Sequence, residues 1–537
     1  MIAMRRFRTS VVSASRSVCG VLSVALVLGA GFGAARAQDA SPLSAIDWLR
    51  MGATPTQPGA YPLTPPSGAV GEEGISVRAL DALRPEAIGL YPAARVGLPA
   101  TLWGPTPAGD LAGLIATLPI DMLPALRDLS LRLLLSEFNA PLPDPGIAGG
   151  QPSGFLVARI DKLIEFGALD QAAAILDALG SVDPGLRLRR FDIGMLLGDE
   201  YRACNGILRS HPPVNDPSST VFCLARAGQW DAADSTLTQA IADRALTPYE
   251  ADLLTHFLEG DERLPGASTL LPPPIGTPTP LVWRLLEAAG DPVTTLGLPV
   301  AFAHADLRGT IGWRAQLEAA ERLVRVGALS PNRLLGLYTE RRAAASGGIW
   351  ERVRLIQQLD DAITQNDPDA ATRALAPAWE QIRAGELEVP MASLFATSLG
   401  AMRLTGTAGE LAFRIGLLSD SYETVALGLD PNAASPEDRF LAAIARGLDP
   451  LRSGSMQGGV AQAVAQAFGP LSLMPPASQE RLDHGQLGEE MLRILNRLGG
   501  PADPRVLAEG LTVLRHLGLE DIARRTALES LLLDRRG

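Results

Sequence analysis

Residues Phe222 to Asp234 read FCLARAGQWDAAD, and the reading of this stretch decides the fold. Glycine at 228 suits a left-handed turn that ends one helix, Asp231 can cap the next, and the small Ala233 lets two helices approach closely. The spacing recurs. Gly167, Asp170 and Ala172 stand in GALDQA, and Gly518, Asp521 and Ala523 in GLEDIA. Gly198 and Ala203 in GDEYRA keep the outer spacing without the aspartate. The glycines at 167, 198, 228, 260 and 290 lie 31, 30, 32 and 30 residues apart, the period expected of one helical hairpin per repeat.

Helix starts are marked in the same way along the chain. Asp183-Pro184, Thr247-Pro248, Ser330-Pro331, Asp367-Pro368, Ser435-Pro436 and Asp503-Pro504 each place a capping side chain before a proline that has no amide to satisfy. Glu250 completes a capping box with Thr247. The composition agrees: 47% of residues are hydrophobic but only 5% aromatic, and alternating runs of β-branched residues are scarce. An all-α chain of many short helices is expected, arranged as a helical-hairpin solenoid.

The hairpin turns resemble the tetratricopeptide repeat, in which a Gly-x-aromatic-Asp-x-Ala turn joins two antiparallel helices. Gly228, Trp230, Asp231 and Ala233 match it, as do Gly167, Leu169, Asp170 and Ala172, with Pro184 near the place where that family closes its repeat. The family's first-helix Trp, Leu-Gly and Tyr are not present, and no register is fixed between about Leu296 and Leu498. The resemblance implies a curved superhelix whose concave face grips a protein segment. The chain as a whole is also similar to a set of uncharacterised secreted bacterial proteins, some labelled antifreeze-like. Ice binding needs a flat lattice of threonines, and the only close pair of interest is Thr277 and Thr279 in TPTP.

The amino terminus reads as an export signal. Arg5, Arg6, Arg8 and Arg16 precede a short apolar run over 18–30, and Ala35-Arg36-Ala37 offers a small-residue cleavage site before Gln38. Removing residues 1–37 takes away five arginines and no acid, so the formal net charge goes from -12 to -17. That sign argues against nucleic acid and anionic membrane surfaces as partners. No later segment is apolar enough to span a bilayer, because LPALRDLSLRLLLSE carries Arg127, Asp128 and Arg132.

Residues 38–107 are rich in Pro, Gly, Ala and Thr and read as an extended, disordered spacer. A helical array over 108–265 follows, then a Pro-rich linker over 266–280 and a second all-helical region over 281–537. The alternative to a linker between two halves is one long inter-hairpin loop within a single solenoid.

Chemistry-bearing motifs are sparse. Cys204 and Cys223 fall on neighbouring antiparallel helices in the hairpin register, either as a disulfide stapling RSHPPVNDPSST in an oxidising compartment or as two buried thiols. The five histidines are scattered without metal-ligand spacing, and His304 with Asp306 is the pair closest to an acid–base arrangement, a packed core histidine being the other reading. Glu137 in LLLSEFNAP is the carboxylate a glycan-cleaving enzyme would use, or an exposed helix terminus. The arginine pairs Arg189-Arg190, Arg341-Arg342 and Arg524-Arg525 could clamp a carboxylate or lie on solvated helix faces. Lys162 is the lone lysine, so a phosphate loop or Schiff base has almost no candidate. The expectation is a periplasmic, non-catalytic helical scaffold that binds a protein partner in the cell envelope, with no catalytic residue, cofactor or metal. A peptidoglycan-active enzyme or its activator is the alternative.

Overall fold

At Gly228 the chain leaves one helix and enters the next through a single left-handed residue with φ of 76°. The Gly228 amide donates to the Ala225 carbonyl and the Gln229 amide to that of Leu224, which satisfies two carbonyls the helix end would otherwise leave open. The same pair of bonds recurs around Gly167, Gly327, Gly447, Gly485 and Gly518. It also recurs around Asn366 and Glu386, which adopt φ of 52° and 54° despite their side chains. These last turns lie in the region where glycine spacing gave no register.

The computed structural model describes residues 84–144, 154–180, 183–259, 272–500 and 503–533. The expected signal peptide with its expected cleavage after Ala37, most of the expected spacer, Gly260 and the first part of the Pro-rich linker lie outside the described residues. In chain order the helices are α1 (Ala108–Ala116), α2 (Pro124–Leu135), α3 (Gly154–Glu165), α4 (Leu169–Leu179), α5 (Pro184–Leu197), α6 (Glu200–Leu208), α7 (Pro217–Arg226), α8 (Trp230–Ala242), α9 (Pro248–Glu259) and α10 (Pro280–Ala288). They continue with α11 (Trp313–Arg325), α12 (Pro331–Glu340), α13 (Gly348–Thr364), α14 (Pro368–Ala384), α15 (Glu388–Met402), α16 (Gly406–Leu417), α17 (Tyr422–Leu427) and α18 (Pro436–Ala445). The last are α19 (Gly459–Phe468), α20 (Pro476–Asp483), α21 (Leu487–Leu498), α22 (Pro504–His516) and α23 (Glu520–Leu532). The fold is an all-α helical array.

The expected caps form. Asp183, Ser330, Ser435 and Asp503 accept amides of the first turns of α5, α12, α18 and α22, and Asp367 accepts two from α14. Thr247 and Glu250 close their box, the Thr247 amide donating to the carboxylate at 3.0 Å and the Glu250 amide to the hydroxyl at 3.2 Å. Asp170, Asp231 and Asp521 depart from expectation. Each is the second residue of its helix and accepts no amide there as a cap, so its favourable effect comes from a negative charge near the positive helix end.

Ala172, Ala203, Ala233 and Ala523 are buried between paired helices as their size suggests. The approach of α5 to α6 is closest at Gly194, where an added Cβ would stand 2.7 Å from the Ala203 methyl. Trp230, by contrast, is 54% exposed, so its indole anchors nothing in the hairpin core.

Two domain expectations are corrected. Residues 84–107 are packed rather than extended and free, because Leu102 and Trp103 are buried anchors within a proline-rich frame. Tyr91–Pro92 pairs in parallel with Ser136–Glu137, and Trp103 packs edge-on against Phe138 and Phe155. The Pro-rich stretch near 272–280 does not separate two halves either. One apolar cluster contains Phe222, Leu253 and Leu254 before it and Leu281, Val282 and Leu285 after it, so the alternative of a loop within one array holds.

The array also closes on itself. A single apolar cluster runs from Leu102 through Leu163 to Leu417, Leu495 and Leu528, because α23 packs on α2 and α21 on α1. The buried Glu529 carboxylate accepts the Ala125 amide at 2.9 Å, capping the start of α2 from the far end of the chain. The Asn496 amide donates to Leu114 O at 2.9 Å, and the Thr106 hydroxyl to Glu489 at 3.1 Å. Each buried Leu or Phe in this seam contributes about 1.5–3 kcal/mol of apolar transfer, far more than the exposed ion pairs around it.

Candidate functional site

Closure leaves a cleft where α2, the α11–α12 turn, the start of α15 and α23 meet. Its larger limb, 480 Å³, is lined by Arg127, Leu131, Leu329, Val389, Pro390 and Arg525 among others. Its smaller limb, 230 Å³, is lined by Asp121, Met122, Arg127, Val300, Arg322 and Arg325. Arg127, Arg325 and Glu386 border both limbs.

The arginines there are held in different ways. Arg127 is buried and spans the wall, donating to Arg325 O at 2.7 Å and Ile120 O at 2.9 Å. Arg322 donates to the carbonyls of Thr295 at 2.8 Å and Leu298 at 2.6 Å, which tie α11 to the irregular segment before it. Burial holds the Arg322 guanidinium below its usual range, and the positive charge of Arg325 pushes it the same way, with Asp306 acting against both. The Arg325 Nε is buried and has no hydrogen-bond partner. Arg525 faces Asp128 at 3.8 Å and Asp420 at 4.0 Å, distances too long for a tight pair. A site with apolar walls and fixed guanidinium donors can hold an apolar group next to an anionic one.

Other residues singled out in the sequence sit elsewhere. Cys204 and Cys223 form a disulfide that joins α6 to α7. His304 is buried and bonds the Gly167 carbonyl through Nε2 at 2.7 Å, while Asp306 accepts the Thr295 hydroxyl, so the two are not an acid–base pair. Burial lowers the His304 pKa and raises that of Asp306. Glu137 is exposed. Arg189 does clamp a carboxylate with two donors, but it is Asp161 of the same chain, and Arg190 pairs with Asp177 at 2.8 Å. Arg341 pairs with Glu340 and Arg524 with Glu520. Lys162 is buried, with its ammonium on Leu118 O and Glu165. Thr279 caps α10 through the Val282 amide.

Sequence reasoning passed over Arg322 and Arg325. The signal was present in RLVRVGALSP, where two arginines three apart on one helical face precede a glycine turn and a Ser-Pro helix start. A second crevice, 150 Å³, lies between α5, α7, α9 and α10 and is lined by Asp192, Asp216 and Glu250. Burial, with the nearby Asp216 charge, pushes the Asp192 carboxyl up to about 7, against an opposing pull from Arg189. Among the described residues no three His, Cys, Asp or Glu side chains converge as metal ligands, and no helix is long and apolar enough to cross a membrane.

Fold and cleft together define a closed all-α helical array with a mixed apolar and arginine-lined groove. Comparison with protein-family models, with curated proteins and with solved structures gave no match.

Proposed function

We propose that the protein is an exported, periplasmic, non-catalytic helical scaffold of tetratricopeptide-like hairpins that binds a segment of a protein partner in the cell envelope. The observation that carries this reading is the cleft, whose walls combine Leu131, Leu329, Val389 and Pro390 with the guanidiniums of Arg127, Arg325 and Arg525. An extended segment is recognised in this way, by pockets for side chains and fixed donors for polar groups. The disulfide supports an oxidising compartment, in keeping with the basic and apolar amino-terminal signal.

The test is photo-crosslinking in living cells from Ser393, which is exposed in the cleft wall, with Thr339 on α12 as the control position. One enriched protein captured from Ser393 and not from Thr339 is the expected result. The same species from both positions, or nothing above an unrelated periplasmic control, would contradict it. Amino-terminal sequencing of the mature chain tests export, with Gln38 as the expected first residue.

A further inference from the structure

The smaller limb of the cleft has a feature that scaffold binding alone does not require. Arg322 and Arg325 lie three residues apart on α11 and line the same 230 Å³ cavity. Like charges on one helical face repel, and burial makes the repulsion costlier. Arg322 spends its donors on two backbone carbonyls, and no carboxylate pairs with it among the described residues. Arg325 makes no side-chain hydrogen bond or ion pair among the described residues, and its Nε is buried without a partner. The Nε is shielded from solvent, so an incoming anion would be taken by the terminal guanidinium nitrogens of Arg325, which have no partner of their own among the described residues.

We propose that this limb is a carboxylate-binding subsite, in which Arg325, supported by Arg322, takes a carboxylate of the bound segment while an adjoining apolar side chain lies in the larger limb. This rests on the cleft being the binding groove. The charge around the cavity selects the anion. Arg127, Arg322 and Arg325 face Asp121 and Glu386, so the formal charge of the lining is a single positive one, which suits a monoanionic carboxylate better than a dianionic phosphate. The larger limb begins at the Arg325 side, where Leu329 and Val389 offer an apolar wall. The carboxylate is either the carboxyl terminus of the segment or an Asp or Glu side chain within it, and the two have the same chemistry at Arg325.

Three probe peptides separate these sources on the mature full-length chain: acetyl-Ala-Leu with a free carboxylate, its neutral amide, and the amide of acetyl-Asp-Leu. Calorimetry is expected to find one of the two carboxylate peptides bound at least roughly tenfold more tightly than the neutral amide, the scale of one charged hydrogen-bonded pair. Preference for the first assigns a chain terminus, and preference for the second assigns a side chain. Saturation should shift the Arg325 Nε–H resonance. Arg325→Gln should bring the tighter peptide to the level of the amide with the unfolding midpoint unchanged or raised, since this side chain holds no other group. Equal affinities for all three peptides, no binding of any, an unaffected Arg325→Gln variant, or inorganic phosphate competing as well as the carboxylate peptide would each overturn the proposal. Those outcomes leave the Ser393 crosslinking result intact, so failure of the subsite and failure of the groove are distinguishable.

Discussion

Asp192 sits in the crevice beside Asp216 and Glu250, with Arg189 as its nearest compensating charge. Its carboxyl holds a proton up to about 7 in the folded chain, whereas an unfolded aspartate releases it near 3.8. Between those values the native state binds more protons than the unfolded state, so stability falls as pH rises through that window, and the full cost is present above it. Asp192→Asn removes the charge and keeps the shape. It is expected to leave stability near pH 4 little changed and to raise it at pH 8 by on the order of 4 kcal/mol, read from urea unfolding at both pH values. An equal effect at the two pH values would show that Asp192 is ionised throughout. None of this was legible in the sequence, where Asp192 is one acid among many; its environment comes from helices that arrive from residues 216 and 280.

At the scale of the element, the hairpin turn was largely readable because it depends on local backbone geometry. Gly167, Gly228 and Gly518 could be found by eye, since glycine adopts positive φ without cost. Asn366 and Glu386 could not be found, because the chain makes the same turn there with a residue that carries a Cβ. The same pair of amide-to-carbonyl bonds closes the turn at such places. Arg244, exposed and at φ 55°, is another. Arg244→Gly should therefore stabilise the array by about 1 kcal/mol, and Gly228→Ala should destabilise it by about as much, both measured as shifts in denaturant midpoint. The aspartates of the turn were misread as caps, although their position near the helix start was right. Between elements, the disulfide closes a loop that includes RSHPPVNDPSST. Replacing Cys204 and Cys223 by serine is expected to cost about 3 kcal/mol, with faster amide exchange in α6 and α7. Unchanged exchange in those helices would mean that their apolar contacts alone hold them.

For the whole molecule, the sequence led to a helical-hairpin solenoid, either in two halves or as one array with a long loop, and the structure has one array whose end returns to its beginning. The reason the closure was illegible is that it depends on pairs such as Ala125 with Glu529 and Leu114 with Asn496, about 400 and 380 residues apart, which no local pattern encodes. The anchors Leu102 and Trp103 were hidden in a proline-rich stretch for the same reason. In an open solenoid each unit touches only its neighbours, so loss of the last helix would be felt locally. Here a chain ending at Leu519 lacks α23 and uncovers α2. Amide exchange over Leu126–Leu135 should then accelerate by at least tenfold while α13 and α14 keep their protection, and acceleration confined to α18 and α22 would contradict closure. The larger limb of the cleft is completed by this return, and Arg127, Arg325 and Arg525 meet there from three distant parts of the chain. Its role as the binding groove is tested most directly by hydrogen exchange of the mature protein with and without the partner captured at Ser393. The account predicts protection concentrated in residues 124–131, 322–331 and 386–393. Protection elsewhere, with these segments unchanged, would contradict it.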